Sequence, residues 1–224
     1  GSGRADGERV SVVGSPRFCG EWLDILTSLL PDDNGLPAVS GFKIAVMLPK
    51  SDKNVFEDEI LRMIETISKV SGVTIVAKLD TRREKFKRIK ADNVFFRGRD
   101  LTSRALIEWA DLTLFTATSV IADNVQRDKP VLHLRRTTGN KIAFERYIQS
   151  WGVDCRDELC ETIFRMQAGE LARTYTPEER QALVSALIEP KGADVLNICV
   201  DEVFAVIAAF QEQAGKKAEE KAAA

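Results

Sequence analysis

Residues 111–136 read DLTLFTATSVIADNVQRDKPVLHLRR. Leu112–Phe115 is a short apolar run, followed by the small or hydroxylated Thr116, Ala117, Thr118 and Ser119, a short helical stretch, and a second apolar run at Val131–Leu134. That is one strand, helix, strand unit. Strands joined through a helix lie parallel, and open parallel sheets hold ligands at the carboxyl ends of their strands. The turn 116–119 is therefore the expected ligand position. The N–H groups of Ser119, Val120 and Ile121 have no partner inside a helix that begins there. Together with the helix dipole they favour an anion, and phosphate is the natural candidate. A second reading stands beside this one: Thr118 or Ser119 is an N-cap whose hydroxyl satisfies the helix's own donors.

Outward from this unit, compact apolar runs alternate with stretches of helical spacing. Strands are expected at residues 10–13, 42–48, 73–79 and 94–97. Helices are expected at 22–30, 55–70, 101–110 with Asp100 as cap, 142–151 and 157–167. Pro31-Asp32-Asp33-Asn34-Gly35 and Gly72 punctuate the first two helices. Thr176-Pro177-Glu178-Glu179 combines a cap, a proline at the first helical position and a glutamate able to close a capping box, so a helix is expected from there to about residue 188. A last helix is expected over 192–209. The alternation predicts an α/β fold, a Rossmann-like three-layer parallel sheet of about six strands with helices on both faces and C-terminal helices. Residues 10–170 form the expected binding domain, 171–213 pack on it as helices, and 214–224, rich in Ala, Lys and Glu, are expected to fray.

A chain of 224 residues, 44% of them hydrophobic, can bury a substantial core. With 32 basic against 34 acidic residues the net charge is −2, which gives no general attraction to nucleic acid or an anionic membrane surface. Cys19, Cys155, Cys160 and Cys199 are scattered without metal-ligand spacing, so free thiols and no metal are expected. No apolar segment reaches the span of a bilayer and no signal peptide opens the chain, which reads as soluble and cytoplasmic. Gly1, Ser2 and Gly3 look like the remnant of an expression tag, and the polar 4–9 running straight into an expected strand reads as a piece of a longer polypeptide.

The expected carboxyl rim of the sheet collects cations, hydroxyls and glycines. These are Gly14, Ser15 and Arg17 after the first expected strand, then Lys78, Asp80, Thr81, Arg82 and Arg83 after the third. Arg97 and Gly98 follow the fourth, Thr116, Thr118 and Ser119 the fifth, and residues 135–140, ending at Asn140, the sixth. Arginine offers bidentate hydrogen bonds to phosphate oxygens and glycine allows close approach of the backbone. The basic run 82–90 reads equally as a solvated helix face. His133, the one histidine, falls on a buried strand and reads as structural. There is no GxGxxG for an ordinary NAD site and no GxxxxGK[ST] for a P-loop. No pair of carboxylates marks a general acid and base.

GSPRFCGEW near the start, IEWADLTLFTATSVIADNVQRDKPVLHL in the middle and EPKGADVLNICVDEV near the end resemble the carboxyl-terminal, nucleotide-sugar-binding half of GT-B glycosyltransferases of bacterial surface-carbohydrate type, including capsule and CDP-glycerol transferases. The resemblance implies a nucleotide-sugar donor bound as substrate, without a separate cofactor. It also implies a saccharide acceptor held by an amino-terminal domain outside this sequence, association with the inner face of the membrane only through partners, and a catalytic base supplied by the other half. The family's paired Ser/Thr motif, which holds donor phosphate, falls on Thr118 and Ser119. Taken with the cations, hydroxyls and glycines of the expected rim, the candidate donor-binding set is Gly14, Ser15, Arg17, Lys78, Arg82, Arg97, Thr118, Ser119 and Asn140. The usual His-Pro pair would fall at Leu79 and Asp80, where neither residue is present. That departure keeps a second reading open, a noncatalytic scaffold of a polysaccharide-assembly complex. A sugar epimerase of the same architecture is a third, for which no acidic catalytic groups can be placed.

Overall fold

The computed structural model describes residues 11–31, 35–49, 54–79 and 89–223. At its centre is a six-stranded sheet of β1 (Phe42–Met47), β2 (Val73–Lys78), β3 (Val94–Arg97), β4 (Leu112–Phe115), β5 (Val131–Leu134) and β6 (Gly152–Val153). All neighbours are parallel, in the order β3-β2-β1-β4-β5-β6. The expected Rossmann-like three-layer architecture is present.

The central strands are mostly apolar because both faces of the sheet are covered, with Lys43, Thr74, Lys78 and Thr113 as the polar exceptions in β1, β2 and β4. Ile44 and Val46 of β1 point to one side, where α2 (Glu57–Ile67) contributes Ile60 and Ile64 and α5 (Arg156–Gln167) contributes Leu159 and Ile163. Ala45 and Met47 point to the other side, against Leu106 of α3 (Ser103–Trp109), Ile121 and Val125 of α4 (Ile121–Gln126) and Leu183 of α6 (Pro177–Leu183). A further helix, α1 (Gly20–Ser28), lies outside α3 and α4. Thr27 of α1 accepts hydrogen bonds from Arg104 at 2.9 Å and Arg127 at 3.1 Å, and Asp24 pairs with Arg127 at 2.7 Å.

Three expectations need correction. The run 10–13 is no strand: residues 11–15 have no regular structure, Val12 is exposed, and Ser15 N–H donates to the Ile188 carbonyl at 2.9 Å, while Val10 lies outside the described residues. Branched side chains fit a pleated surface, but a strand also needs an edge to pair with, and none reaches this segment. The sixth strand is instead Gly152–Val153, which continues from the bond between His133 N–H and the Trp151 carbonyl (2.8 Å). The helix expected over 142–151 is a single 3-10 turn, Ala143–Arg146, that delivers Ile148 and Trp151 to the core. At the third helix the cap is Thr102, which accepts from Ala105 N–H at 3.1 Å, while Asp100 accepts from Gly98 N–H in the preceding turn at 3.2 Å.

The capping box at Thr176 forms as its sequence predicts, and it does more than close a helix. The Glu179 carboxylate accepts from Thr176 N–H at 3.0 Å, from Gln149 N–H at 2.9 Å, from Ser150 N–H at 3.1 Å and from the Ser150 hydroxyl, tying α6 to the turn before β6. Burial raises its pKa, but the hydrogen bonds from Ser150, Thr176 and Gln149 outweigh burial and hold the group below the ordinary glutamate value. A carboxylate depressed in the folded state contributes stability above its unfolded pKa and loses it as pH falls through the folded value. Urea titrations should therefore show Glu179→Gln less stable than the parent at pH 7, with the difference shrinking below pH 4. A constant difference across that range would rule out this role.

After α6 the chain makes a π-helical turn, Val184–Ile188, and then enters α7 (Val195–Ala223). The helix continues through 214–223, the stretch whose composition pointed to fraying. No helix among the described residues is long and apolar enough to cross a membrane.

Candidate functional site

The strand order places a topological switch between β1 and β4. From β1 the chain crosses to β2 on one side, and from β4 it crosses to β5 on the other, so the two loops part and leave a crevice at the carboxyl ends. The 116–120 turn lies there. Thr116 is buried, Thr118 half-buried and Ser119 exposed. Thr116 Oγ1 lies 3.0 Å from Thr137 Oγ1, whose hydroxyl donates to the Leu134 carbonyl at 2.6 Å, so the floor of the turn is fixed to the end of β5.

The opposite wall is a seam between the start of α2 and the loop after β5. Phe56 N–H donates to the Thr137 carbonyl at 2.9 Å, Thr138 Oγ1 and Gly139 N–H donate to the Asn54 carbonyl at 3.1 and 2.8 Å, and Asn54 Nδ2 donates to Asn140 Oδ1 at 3.0 Å. Because β4 lies between β1 and β5, this seam spans the end of β4. Beside it opens a cleft of about 760 Å³ lined by residues 55–59, Arg62 and Arg136.

At the turn itself both sequence readings are partly realised. Val120 N–H donates to Thr118 Oγ1 at 3.3 Å, so the Thr118 hydroxyl serves the backbone as a cap would. The N–H groups of Ser119 and Ile121 have no acceptor among the described residues. An anion at this turn would meet those two amides and the exposed Ser119 hydroxyl.

The cations are arranged differently from expectation. Arg17 stacks on Phe18, and Gly14 and Ser15 sit against the end of the π-helical turn rather than at the end of a strand. Gly14 has φ +100°, and a Cβ there would lie 2.3 Å from the Ile188 carbonyl oxygen, so backbone packing by itself requires glycine. Arg97 lies over Phe95 and donates to the Gly35 carbonyl at 3.3 Å, and Lys78 is buried with Nζ 3.5 Å from the Leu79 carbonyl. Arg135 folds back across Gly152, donating to the Gln149 carbonyl at 2.7 Å and pairing with Glu145 at 3.4 Å, while Arg136 pairs with Asp154 at 3.1 Å. Asp80, Thr81, Arg82 and Arg83 lie outside the described residues. Of the expected set, Thr118 and Ser119 share the switch-point turn, and Asn140 belongs to the facing seam.

His133 lies buried directly behind this turn, its ring stacked on Phe115 with centroids 4.9 Å apart and Nδ1 2.9 Å from Glu145 Oε1. Burial lowers its pKa against the pull of the Glu145 carboxylate. A neutral ring must then carry its proton on Nδ1 to donate to Glu145. This fits the structural role expected of it. Cys19 is equally quiet: its thiol donates to the Pro16 carbonyl at 3.2 Å, and burial, with the neighbouring Glu21 carboxylate, pushes its pKa up to about 11.

Two buried polar groups stand outside the expected site. Asn124, on the otherwise apolar inner face of α4, is fully buried with neither amide atom hydrogen-bonded among the described residues. Glu21 has both carboxylate oxygens enclosed and without a hydrogen-bond partner there. A polar residue between Ala122 and Val125 was the available signal for Asn124; Glu21 stands out in the sequence only as one of several carboxylates near the ends of expected elements, with Glu108, Asp111, Asp123 and Glu145. No three His, Cys, Asp or Glu side chains among the described residues come together to hold a metal ion.

No family model matches the chain, and no curated protein matches it. Among solved structures it is similar to the glycosyltransferase SnogD from Streptomyces nogalater, with 17% identity and a TM-score of 0.47 over 77% of this chain and 46% of that one. It is also similar to yeast NADH kinase complexed with NADH, with 9% identity and a TM-score of 0.37 over 58% of this chain and 37% of the other. The chain thus spans less than half the length of either protein.

Proposed function

We propose that the chain is the nucleotide-sugar (donor) binding half of a glycosyltransferase acting in surface polysaccharide biosynthesis. The observation that carries this reading is the Thr116–Thr118–Ser119 turn at the β1/β4 switch point, where parallel α/β sheets bind their ligands. The three quoted sequence motifs add the chemical class, because the family's phosphate-holding pair falls on Thr118 and Ser119. In this reading the Ser119 and Ile121 amides and the Ser119 hydroxyl hold the donor's charged linkage, Asn140 borders it from the seam, and stabilisation of the departing nucleotide's charge is the domain's share of catalysis. A partner domain supplies the acceptor and the base.

Calorimetric titration with CMP, CDP, UDP and GDP tests it. One of the four should bind. Thr118→Ala with Ser119→Ala should weaken that binding at least ~10-fold, since a hydrogen bond to a charged group contributes roughly 1.5–3 kcal/mol. A folded protein that binds none of them overturns the donor reading.

One arrangement favours the scaffold alternative. Arg135, at the carboxyl end of β5, is engaged by Glu145 and Asp154, and Arg136, which lines the cleft beside the seam, is paired with Asp154 as well. With the missing His-Pro pair, this describes a fold kept for contacts with other proteins. A capture of assembly partners unchanged by the same double substitution, in a protein without nucleotide affinity, would decide for it.

A further inference from the structure

Thr137 ends the 3-10 turn Arg135–Thr137 that follows β5, and it is fully buried. A buried hydroxyl at the rim of a sheet has to satisfy its hydrogen bonds within the protein. Its O–H donates to the Leu134 carbonyl at 2.6 Å, three residues back, so the side chain itself closes the turn.

That bond fixes the direction of the next one. A threonine hydroxyl carries a single proton. With the Thr137 proton on the Leu134 carbonyl, the 3.0 Å contact between Thr137 Oγ1 and Thr116 Oγ1 is a bond in which Thr116 donates. Thr116, 1% exposed, therefore has its own proton committed to Thr137 and none to give a ligand. Donors for an anion are left to the Ser119 and Ile121 amides and the Ser119 hydroxyl, which follow within the same turn. The position of Thr116 sets where those groups stand.

The main chain of Thr137 faces another element. Phe56 N–H donates to the Thr137 carbonyl at 2.9 Å, and Phe56 lines the cleft beside the seam. Thr138, the next residue, bonds the Asn54 carbonyl instead. Thr137 thus touches the end of β5, the turn after β4 and the start of α2.

We propose that Thr137 is the positioning residue of the switch-point turn. Its hydroxyl orients Thr116 and, through it, the Ser119 and Ile121 amides, and its carbonyl links the turn to the start of α2. A ligand bound at the turn is then felt at Phe56, because the two are joined by contiguous hydrogen bonds. The effect on nucleotide affinity rests on the donor reading; the effect on the turn itself does not.

Two substitutions separate the hydroxyl from the shape around it. Thr137→Val keeps the volume and removes the hydroxyl, and Thr137→Ser keeps the hydroxyl. Amide hydrogen exchange, read by NMR without nucleotide, comes first. The N–H groups of Val120, Ala122 and Asp123 bond Thr118 Oγ1 and the Ser119 and Val120 carbonyls. Thr137→Val should speed their exchange ~10-fold, about what one net hydrogen bond supplies, with β1 and β2 unchanged. Thr137→Ser should stay close to the parent. Titration with whichever of CMP, CDP, UDP and GDP the parent binds should show affinity falling ~10-fold in Thr137→Val and recovering in Thr137→Ser. In the parent the Phe56 amide resonance should shift on binding.

Unchanged exchange at the turn in Thr137→Val, a rise that takes β1 and β2 with it, or a Thr137→Ser protein that behaves like Thr137→Val would each overturn the proposal. A Phe56 resonance that stays in place overturns the link to α2. If Thr137→Val does not fold, Thr116→Val removes the same bond from its other side and is held to the same outcomes. A parent that binds no nucleotide overturns the donor reading, and the exchange result then decides on Thr137 by itself.

Discussion

Replacement of Arg104 by alanine should destabilise the protein by roughly 3–5 kcal/mol, a fall in Tm of about 6–20 °C for a chain of this size. Arg104 is 5% exposed on α3. It pairs with Asp123 of α4 and with Glu108 one turn along its own helix, and it donates to Thr27 of α1 at 2.9 Å. One guanidinium thus joins three helices. Asp123 shows why its removal is costly: burial pushes that carboxyl's pKa up, and Arg104 opposes the shift. Without Arg104 the Asp123 charge is left in a poorly solvated site with its main partner gone.

The sign of the pH response separates this from loss of packing. In the variant, the folded-state pKa of Asp123 should rise further above its unfolded value. Its charge then penalises the fold above that pKa, and the penalty is relieved as pH falls. Urea unfolding followed by circular dichroism should show the deficit of Arg104→Ala narrowing between pH 7 and pH 5. Arg104→Met combined with Asp123→Leu should recover most of the loss, because a buried ion pair can be exchanged for apolar residues at little net cost. A deficit below about 1 kcal/mol at pH 7 would contradict the account.

Trp151→Ala should cost a comparable 3–5 kcal/mol, of the order expected for emptying a buried aromatic site. Trp151 is fully buried with its ring edge-on to Phe115 at 5.1 Å, and Phe115 in turn stacks on His133. The cavity would open behind β4, beneath the turn that carries Thr116 and Thr118. Two effects are expected together. Stability falls, and any nucleotide affinity weakens several-fold because the floor of the turn loses its support. Trp151→Phe fills much of the same volume and should lose less than half as much. If Trp151→Ala lowers stability but leaves affinity untouched, the turn is held by its bonds to β5 alone.

The rim of the sheet marks the limit of what the residues disclosed by themselves. Thr118 and Ser119 could be assigned to a turn at the end of a strand because the apolar run before them and the helix after them are local features. The side-chain directions of Arg17, Arg97, Arg135 and Arg136 could not. Each depends on a partner distant in sequence or on a ring beside it: Arg97 reaches Gly35 and Arg136 reaches Asp154. Basic residues after strands give composition, and only the folded chain decides which carboxylate or carbonyl claims each one. Asn124 was hidden for a similar reason, since burial on α4 comes from the helices packed around it.

Hydrophobic periodicity, turn residues and caps were enough to determine the alternation of strand and helix, the parallel α/β class, the capping box at Thr176 and the unit around residues 111–136. These are local, and each is set by a few neighbouring side chains. Membership of the sheet was decided by tertiary structure. Residues 11–13 have strand composition but pair with no strand among the described residues, whereas Gly152–Val153, too short to carry any period, becomes β6 because His133 and Leu134 present an open edge to it. The strand order, and with it the crevice between β1 and β4, also belongs to the tertiary structure, because backbone hydrogen bonds between strands are indifferent to side chains and are allotted only when the whole sheet assembles.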